Sequence, residues 1–441
     1  MTEVFTAMRT SMSLRQVGLA AVLALAGIYF LVRGPFRAVA LPDGSIDFQY
    51  CFYVAFRTFA QGGSPYRAED MLATAQAISA RHHYLLLHFY KGAIIYPPGF
   101  FVFAPIGLMS LRPALWLWLL IECGAFGALL WWASQLFSTS WTRPQKAAFL
   151  ACGLSLAPPH TNLAVGNTGI LFAALTAALF LALQRKSAGW GGFALGLLMM
   201  KPTFGIPAAA LVAIWGQWRL LVVGGLVSML TSLPVLWRLG VRETVAGLVR
   251  NLSLHTTPGM PNDETLSNPF HYQFLNLRSW AYGLVGGGWA ELLTVLALLA
   301  LLYALFRFRR QRHGIGPTLY WTLASMFICL AMYHCFYDAT LLVIPLAAAF
   351  DLYNRRSGWV YGWGAALAPF AVPGTTFLHL KLSNQAHRTP LIEAFIVRHE
   401  TVALIVLAGL AVAGLYKIGA KLTAAVGAPQ GHAMASGFQA K

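Results

Sequence analysis

Long runs of apolar residues, separated by shorter polar stretches, make up most of the chain. A helix of about 20 apolar residues crosses the hydrocarbon core of a bilayer, and by that length the pattern predicts an all-α polytopic membrane protein with about 12 transmembrane helices. The predicted segments are 17–33, 97–111, 113–136, 146–163, 168–184, 189–216, 219–237, 286–306, 316–334, 339–353, 358–373 and 399–419.

The segment 189–216 is ambiguous, because Lys201-Pro202 and Pro207 interrupt it and proline removes a helix hydrogen bond. It could be one bent crossing or two short ones. Loops rich in Lys and Arg mark the cytoplasmic side, and a single crossing places the strongest basic clusters beside the N-terminal arginines. We therefore expect one crossing and two cytoplasmic termini. The clusters on that side are Arg219, Arg307, Arg309, Arg310, Arg312, Arg355 and Arg356, whereas Arg143, Lys146, Arg185 and Lys186 fall outside.

This topology predicts one transmembrane domain over residues 1–420 and a disordered cytoplasmic tail over 421–441. Long loops at 34–96, 238–285 and 374–398 then face the extracytoplasmic side. The Gly166-Asn167 turn between two apolar runs faces the cytoplasm on this path.

The first external loop contains two stretches that favour helix, 49–60 and 68–90. Aromatic residues in the first of them recur at helical spacing and form a stripe on one face. The stripe consists of Phe52, Tyr53, Phe56 and Phe59. We therefore predict two amphipathic helices that lie in the membrane interface.

Composition agrees with a membrane protein. The sequence is 58% hydrophobic and 10% charged, whereas a soluble domain carries about a quarter charged residues. The net charge of +17 fits topology signals and anionic headgroups, so nucleic acid is not expected as a partner. The five cysteines lack metal-ligand spacing, and the chain has neither a Walker loop nor a Gly-x-Ser-x-Gly elbow. We expect no metal and no cofactor.

Asp47 is the first candidate for chemistry, since it follows the first span and should lie at the membrane surface. A half-buried carboxylate is costly to keep without a partner or a task. The alternative is a solvated acid paired with Arg57. Asp43 is a rival carboxylate, although it occupies a Pro-Asp-Gly turn in which Asp is favoured for turn formation alone.

A second group of candidates lies at the outer end of a late span. His334 and Asp338 are four residues apart and share a helix face. They could line a polar cavity that also receives Asp47, or form an interfacial pair that stabilises a helix end. His271 and Asn276 could join the same cavity. Lys201, within an apolar segment, either snorkels to an interface or holds an anion.

The order of several short motifs resembles glycosyltransferase family 87, a branch of the GT-C membrane glycosyltransferases that includes mycobacterial polyprenyl-phosphate-mannose-dependent mannosyltransferases. The matching elements are Asp47, Gly63-Ser64-Pro65-Tyr66, Tyr96-Pro97-Pro98, Gly166-Asn167, Lys201-Pro202 and Tyr337-Asp338. The resemblance implies a GT-C fold and a multi-pass protein of the bacterial inner membrane. It also implies transfer of a hexose such as mannose from a polyprenyl-phosphate donor to a lipid- or glycan-linked acceptor on the extracytoplasmic face.

Such a reaction inverts the anomeric centre and needs a general base for the acceptor hydroxyl, a role that the resemblance assigns to Asp47. Substrate-binding candidates are His334, Asp338, Tyr337, Tyr66, Tyr96, Arg278, His271, Asn276 and Lys201. For the donor phosphate we consider Arg33, Arg37, Arg57 and Arg278, and we favour Arg278. The alternatives to an enzyme are a transporter or flippase of a lipid-linked sugar, and a non-catalytic scaffold.

Overall fold

The computed structural model describes residues 14–41, 44–82, 92–137, 141–268, 270–311, 314–371 and 389–427. These residues form helices and no strand; an isolated antiparallel bridge pairs Phe274 with Cys335. Six of the described helices are long and apolar enough to cross a membrane. The chain is therefore an all-α, multi-pass membrane protein, as its hydrophobic pattern predicts.

The α-helices of seven or more residues are numbered in chain order. They are α1 Leu14–Leu31, α2 Val54–Ala60, α3 Ala68–His82, α4 Pro97–Gly107, α5 Leu111–Phe137, α6 Arg143–Ser155, α7 Ala157–Val165, α8 Gly169–Arg185, α9 Ala188–Leu198, α10 Pro202–Ile214, α11 Trp218–Leu239, α12 Val241–His255, α13 Leu277–Leu284, α14 Gly287–Phe308, α15 Gly316–Ala331, α16 Val343–Asn354, α17 Trp359–Leu367 and α18 His399–Gly427. The six long apolar helices cover Gln16–Ala40, Leu111–Phe137, Trp218–Leu239, Gly287–Phe308, Phe336–Asn354 and His399–Ala420.

Side-chain contacts define two ends of the helical bundle. At the first, called the site end, Trp118 near the start of α5 donates a 2.9 Å hydrogen bond to the Gly166 carbonyl oxygen. At the second, called the far end, Gln184 near the end of α8 donates to the Leu136 carbonyl oxygen at 3.2 Å. Helices α5 and α8 therefore run parallel, from the site end to the far end.

The ambiguous segment 189–216 forms two antiparallel helices, so the predicted single crossing is wrong. Gly192 and Gly196 of α9 face Val223 and Val227 of α11, which means that α9 and α11 run parallel. The intervening helix α10 must run the other way. The reversal falls at Lys201, the residue that precedes α10, because Pro202 at the first helical position starts a new helix and cannot continue the old one.

The predicted span 97–111 is also revised. Helix α4 has 11 residues, a length of roughly 16 Å, and it packs antiparallel on α2 in the first loop. Phe100 contacts Phe59 with ring centroids 5.6 Å apart, and Phe103 contacts Phe56 at 5.7 Å. Since α5 also begins at the site end, α4 does not carry the chain to the far end. The Gly166-Asn167 turn consequently lies on the same side as Asp47, and not on the opposite side as predicted.

Most of the aromatic stripe of the first loop is buried in protein, and Phe52 is partly buried. The interfacial position of the two helices stays a prediction. A π-helical turn, Asp47–Tyr53, leads directly into α2. Tyr53, Phe56 and Phe59 are at most 7% exposed. Phe56 and Phe59 pack against α4, and Phe56 also contacts Trp118. Helix α3, Ala68–His82, accounts for the first part of the predicted stretch 68–90.

Several sequence predictions concern residues outside those described. They include Asp43, residues 83–91 of the first loop and most of the loop 374–398. Helix α18 continues to Gly427, so residues 421–427 of the predicted tail extend the last helix. The rest of the predicted tail lies outside the described residues.

Candidate active site

Asp47 and Asn167 meet at the site end although 120 positions separate them in the chain. The Asn167 side-chain amide donates a 2.8 Å hydrogen bond to Asp47 Oδ2. Asp47 is half-buried at the start of the π-helical turn, and it makes no ion pair with any described residue. Its carboxylate is therefore positioned by an amide and is not neutralised by a cation in direct contact.

Lys201 connects Asn167 to Asp338. Its ammonium lies 2.5 Å from Asp338 Oδ1 and 3.4 Å from Asn167 Oδ1. The same ammonium lies over the rings of Phe204 and Tyr337, at 5.3 and 5.7 Å from their centroids. The reversal between α9 and α10 places Lys201 here, and its side chain remains 20% exposed. Lys201 thus pairs with a buried acid, as buried charges require, and stays accessible to a second anion.

His334 is fully engaged beside Asp338. Its Nδ1 lies 3.2 Å from Asp338 Oδ2, and its Nε2 lies 3.2 Å from the Thr203 carbonyl oxygen. Both partners are acceptors, so both hydrogen bonds form together only when His334 is an imidazolium. The ring packs edge-on against Phe204 at 4.6 Å. Asp338 is consequently surrounded by Lys201 and His334, and it also accepts from the Cys335 backbone N–H at 3.3 Å.

Two glycines permit this convergence. Gly166 ends α7 with φ +73°, a left-handed conformation that favours glycine, and a Cβ there would approach Phe48 to 2.6 Å. Gly169 begins α8, and a Cβ there would lie 2.8 Å from Asp338 Oδ1. The Gly-Asn-Thr-Gly turn therefore delivers Asn167 to Asp47 while α8 stays close to Asp338.

The surroundings of Asp47 suit a base that works near neutral pH. Burial raises the pKa of Asp47 to about 6, and the hydrogen bond from Asn167 and the charge of Lys201 oppose that rise. A general base is most effective when its pKa lies near the working pH. The alternative partner Arg57 is engaged elsewhere, since it donates to the Met109 carbonyl oxygen and the Tyr53 hydroxyl, both at 3.0 Å.

His271, Asn276 and Arg278 form a separate network beside the Asp47 cluster. Asn276 caps α13 by accepting from the Ser279 N–H at 2.8 Å. Arg278 is bound by Glu264 at 3.1 Å and by Glu291 at 2.8 Å. These residues connect to the site through the backbone, because Leu275 donates to the His334 carbonyl oxygen at 2.9 Å.

His271 is buried within the same network. It contacts the Asn268 carbonyl oxygen through Nδ1 at 2.6 Å and Glu393 through Nε2 at 2.8 Å. Glu393 also accepts from Arg398 at 3.3 Å. This network joins the loop before α13 to the segment before α18, and its described contacts are within the protein.

The predicted tyrosines occupy different positions. Tyr337 lies under the Lys201 ammonium. Tyr66 is fully buried and donates to the Ile95 carbonyl oxygen at 3.0 Å, so it braces the first loop. Tyr96 occupies the N-cap position of α4, where its side chain makes no capping hydrogen bond.

Glu122 and Asn162 lie directly behind the cluster, and sequence reasoning did not single out either of them. Both side chains are 0% exposed, and Asn162 Nδ2 donates to Glu122 Oε2 at 3.2 Å. A signal was present, because Glu122 is an acid inside a long apolar run.

Comparison with known proteins identifies a family for the chain. The family model for glycosyltransferase family 87 matches residues 95–332, more than half of the chain. No curated protein and no solved structure matches the chain.

Proposed function

The chain belongs to glycosyltransferase family 87 and is a membrane glycosyltransferase, and on that basis we propose its substrates, its mechanism and the side of the membrane on which it acts. The donor is a hexose, mannose, carried on a polyprenyl phosphate. The acceptor is a lipid- or glycan-linked sugar, and transfer occurs with inversion on the extracytoplasmic face of the bacterial inner membrane. Asp47 is the general base.

One observation carries this proposal: residues from four distant parts of the chain converge on a single cluster. Asp47, Asn167, Lys201 and the His334–Asp338 pair form a continuous set of hydrogen bonds. The cluster has two chemical halves. One is a half-buried carboxylate without an ion-pair partner among the described residues, and the other is the Lys201 ammonium, which pairs with Asp338 beside His334. A base and a cationic leaving-group site are what inverting transfer from a sugar phosphate requires.

In the proposed reaction an acceptor hydroxyl binds at Asp47 and attacks the anomeric carbon of the donor. As the new glycosidic bond forms, the hydroxyl proton passes to Asp47 and the bond to the lipid phosphate oxygen breaks. The departing phosphate is stabilised by Lys201. Both ring nitrogens of His334 already face acceptor atoms of the protein, so His334 holds Asp338 in place and acts on the donor through the Lys201–Asp338 pair.

Lys201 replaces Arg278 as the preferred ligand of the donor phosphate. Arg278 is already bound by Glu264 and Glu291, whereas Lys201 belongs to the Asp47 cluster. The ring of Tyr337 lies beneath the Lys201 ammonium and so borders the proposed phosphate site. His271 and Asn276, with the braces Tyr66 and Tyr96, shape the surrounding loops.

We further propose twelve crossings with both termini in the cytoplasm, about the number that the hydrophobic lengths predict. Basic residues support this orientation, because clusters from five helix ends gather at the far end of the bundle and such residues mark the cytoplasmic side. Those residues are Arg143, Lys146, Arg185, Lys186, Arg219, Arg307, Arg309, Arg310, Arg355 and Arg356. The arrangement of α4, α9 and α10 brings Arg143, Lys146, Arg185 and Lys186 to that end, which removes the four exceptions in the predicted topology.

The test is direct. Purified protein in lipid vesicles is incubated with radiolabelled polyprenyl-phosphate mannose and extracted envelope lipids, and a labelled glycolipid is expected from the wild type and not from Asp47→Asn. Donor that moves across the vesicle membrane without any product would point to a flippase and contradict the proposal. Labelled product from Asp47→Asn at the wild-type rate would remove Asp47 from the mechanism.

A further inference from the structure

Glu122 is a buried acid in the middle of α5, one of the long apolar helices. Its side chain is 0% exposed and it forms no ion pair with a described residue. Lys201, the cation of the site, bonds to Asp338 and Asn167 instead. An unpaired carboxylate is costly inside a membrane helix, and such residues are functional candidates.

The hydrogen bonds around Glu122 lack one donor. Asn162 Nδ2 donates to Glu122 Oε2 at 3.2 Å, and the Leu171 backbone N–H at the start of α8 also bonds to the Glu122 carboxyl. Glu122 Oε1 and Asn162 Oδ1 are buried, and neither has a partner of normal hydrogen-bond geometry among the described residues. An ionised carboxylate offers acceptors only, whereas a carboxylic acid brings one O–H donor. A proton on Glu122 would supply such a donor, as in a reciprocal acid–amide pair with Asn162.

Asn162 transmits this arrangement to the site. Its Nδ2 also donates to the Asn167 carbonyl oxygen at 2.9 Å, and its own carbonyl oxygen accepts from the Asn167 N–H at 3.0 Å. Asn162 therefore holds the Asn167 turn by hydrogen bonds from both its side chain and its backbone. The side chain of Asn167 in turn donates to Asp47. Glu122 is thus three hydrogen-bonded steps from the proposed base.

We propose that Glu122 is a positioning residue for the transfer reaction, held as a neutral carboxylic acid whose reciprocal hydrogen bonds with Asn162 fix the Asn167 turn and thereby orient Asp47. This proposal rests on the proposed function, because it concerns the orientation of the base. It adds a residue outside the Asp47 cluster and assigns that residue a charge state.

Two substitutions separate a neutral acid from an ionised one. Glu122→Gln keeps the shape and offers the same donor and acceptor as the acid, so activity is expected within about twofold of wild type. Glu122→Leu removes the pair and frees the turn, so kcat is expected to fall, by up to ~100-fold if Asp47 is displaced by about 1 Å. Leu129→Ala, elsewhere in the buried face of α5, is the control for general destabilisation.

The pH dependence of kcat/KM adds a readout that mere destabilisation does not move. The Asn167 hydrogen bond lowers the pKa of Asp47, so loosening the turn in Glu122→Leu should shift the acidic limb to higher pH. The limb should stay in place in Glu122→Gln and Leu129→Ala. The other titratable groups near Asp47 are Lys201, Asp338, Cys51, Tyr333, Cys335 and Tyr337, and all are retained in these variants.

An infrared measurement tests the charge state without any activity. At about pH 6, the difference spectrum of wild type minus Glu122→Gln should contain the carbonyl stretch of a protonated carboxyl, since Asp47 is present in both proteins and cancels. If this band is absent, or if Glu122→Gln is as impaired as Glu122→Leu, Glu122 is not held as a neutral acid. Unchanged kcat and pH limb in Glu122→Leu would overturn the positioning role. A wild-type protein without transferase activity would instead refute the proposed function. The infrared spectrum would still show whether Glu122 is protonated.

Discussion

Asp47 and Asp338 belong to one hydrogen-bonded cluster, yet their surroundings give them different chemistry. Asp338 is 1% exposed and bound by Lys201 and His334, so it balances positive charge. Asp47 is half-buried and receives an amide hydrogen bond. Carboxylates whose environments differ in this way can divide the roles of base and electrostatic support.

At the residue scale, the first prediction concerns Asp47→Asn. Removing a positioned base should lower kcat by ~10²–10⁴-fold and leave donor binding largely intact. Wild-type activity should also fall as the pH drops through about 6, the pKa of Asp47, since only the ionised base accepts a proton. Rates of product formation between about pH 5 and pH 8 measure both effects. An acidic limb that persists in Asp47→Asn would assign it to another group.

The same substitution should stabilise the protein at neutral pH. Folding raises the pKa of Asp47 from 3.8 to about 6, so the folded state disfavours the charged form. The cost of charged Asp47 develops as the pH rises between these two values, and it is at most about 3 kcal/mol at neutral pH. Asp47→Asn removes that cost, and thermal unfolding should show a higher Tm at pH 7 and no gain near pH 4. An equal gain at both pH values would contradict the linkage.

Lys201→Met tests the phosphate side of the cluster. Loss of the ammonium leaves Asp338 buried with a weaker counter-charge, a change that typically costs ~3–5 kcal/mol for a buried pair, and it should also raise the KM for the lipid donor. Arg278→Ala should raise that KM less, because Glu264 and Glu291 already bind the guanidinium. Lys417→Met, an exposed position on α18, controls for loss of charge. A larger effect of Arg278→Ala would return the phosphate site to Arg278.

At the element scale, close helix packing keeps Lys201 in place. Helices α9 and α11 approach through glycines, as small residues permit in membrane proteins. A Cβ at Gly192 would come within 2.4 Å of Val223, and one at Gly196 within 2.5 Å of Val227. The helix pair therefore fixes the position of the reversal that carries Lys201 to the site.

Gly192→Val should separate α9 from α11. Overpacking of this kind typically costs ~1–3 kcal/mol, so Tm should fall, and donor KM should rise as Lys201 moves. Gly189→Val is the matched control, since a Cβ at Gly189 meets nothing within 4 Å. Similar stability of the two variants would show that the α9–α11 contact is not tight.

At the scale of the whole molecule, the sides of the bundle can be tested by chemical labelling. In a variant without native cysteines, Lys186→Cys at the far end and Arg242→Cys at the site end are both exposed positions. A membrane-impermeant thiol reagent added to intact cells should label position 242 and not position 186. The topology read from the sequence predicts labelling of both. Labelling of position 186 alone would mean that the far end, and not the site end, faces the outside of the cell.

The sequence by itself determined the class of the protein and its family, and it predicted most of the residues that the structure brings into one cluster. Runs of apolar residues predict a multi-pass helical protein, because a bilayer accepts a spanning segment on hydrophobic length alone. Asp47, Lys201, His334 and Asp338 stood out as ionisable residues at the ends of apolar runs or within them.

Only the tertiary structure decided which segments reverse and which groups meet. The length of 97–111 suggested a crossing, but packing of α4 on α2 keeps it at the site end; the segment 189–216 suggested one crossing, but helix pairing makes it a hairpin. The two errors cancel in the number of crossings. The residues between them, Asn167 included, were therefore predicted on the opposite side of the membrane from Asp47. Hydropathy measures the transfer of a segment into lipid, whereas these outcomes depend on contacts between segments far apart in sequence, which no local pattern encodes.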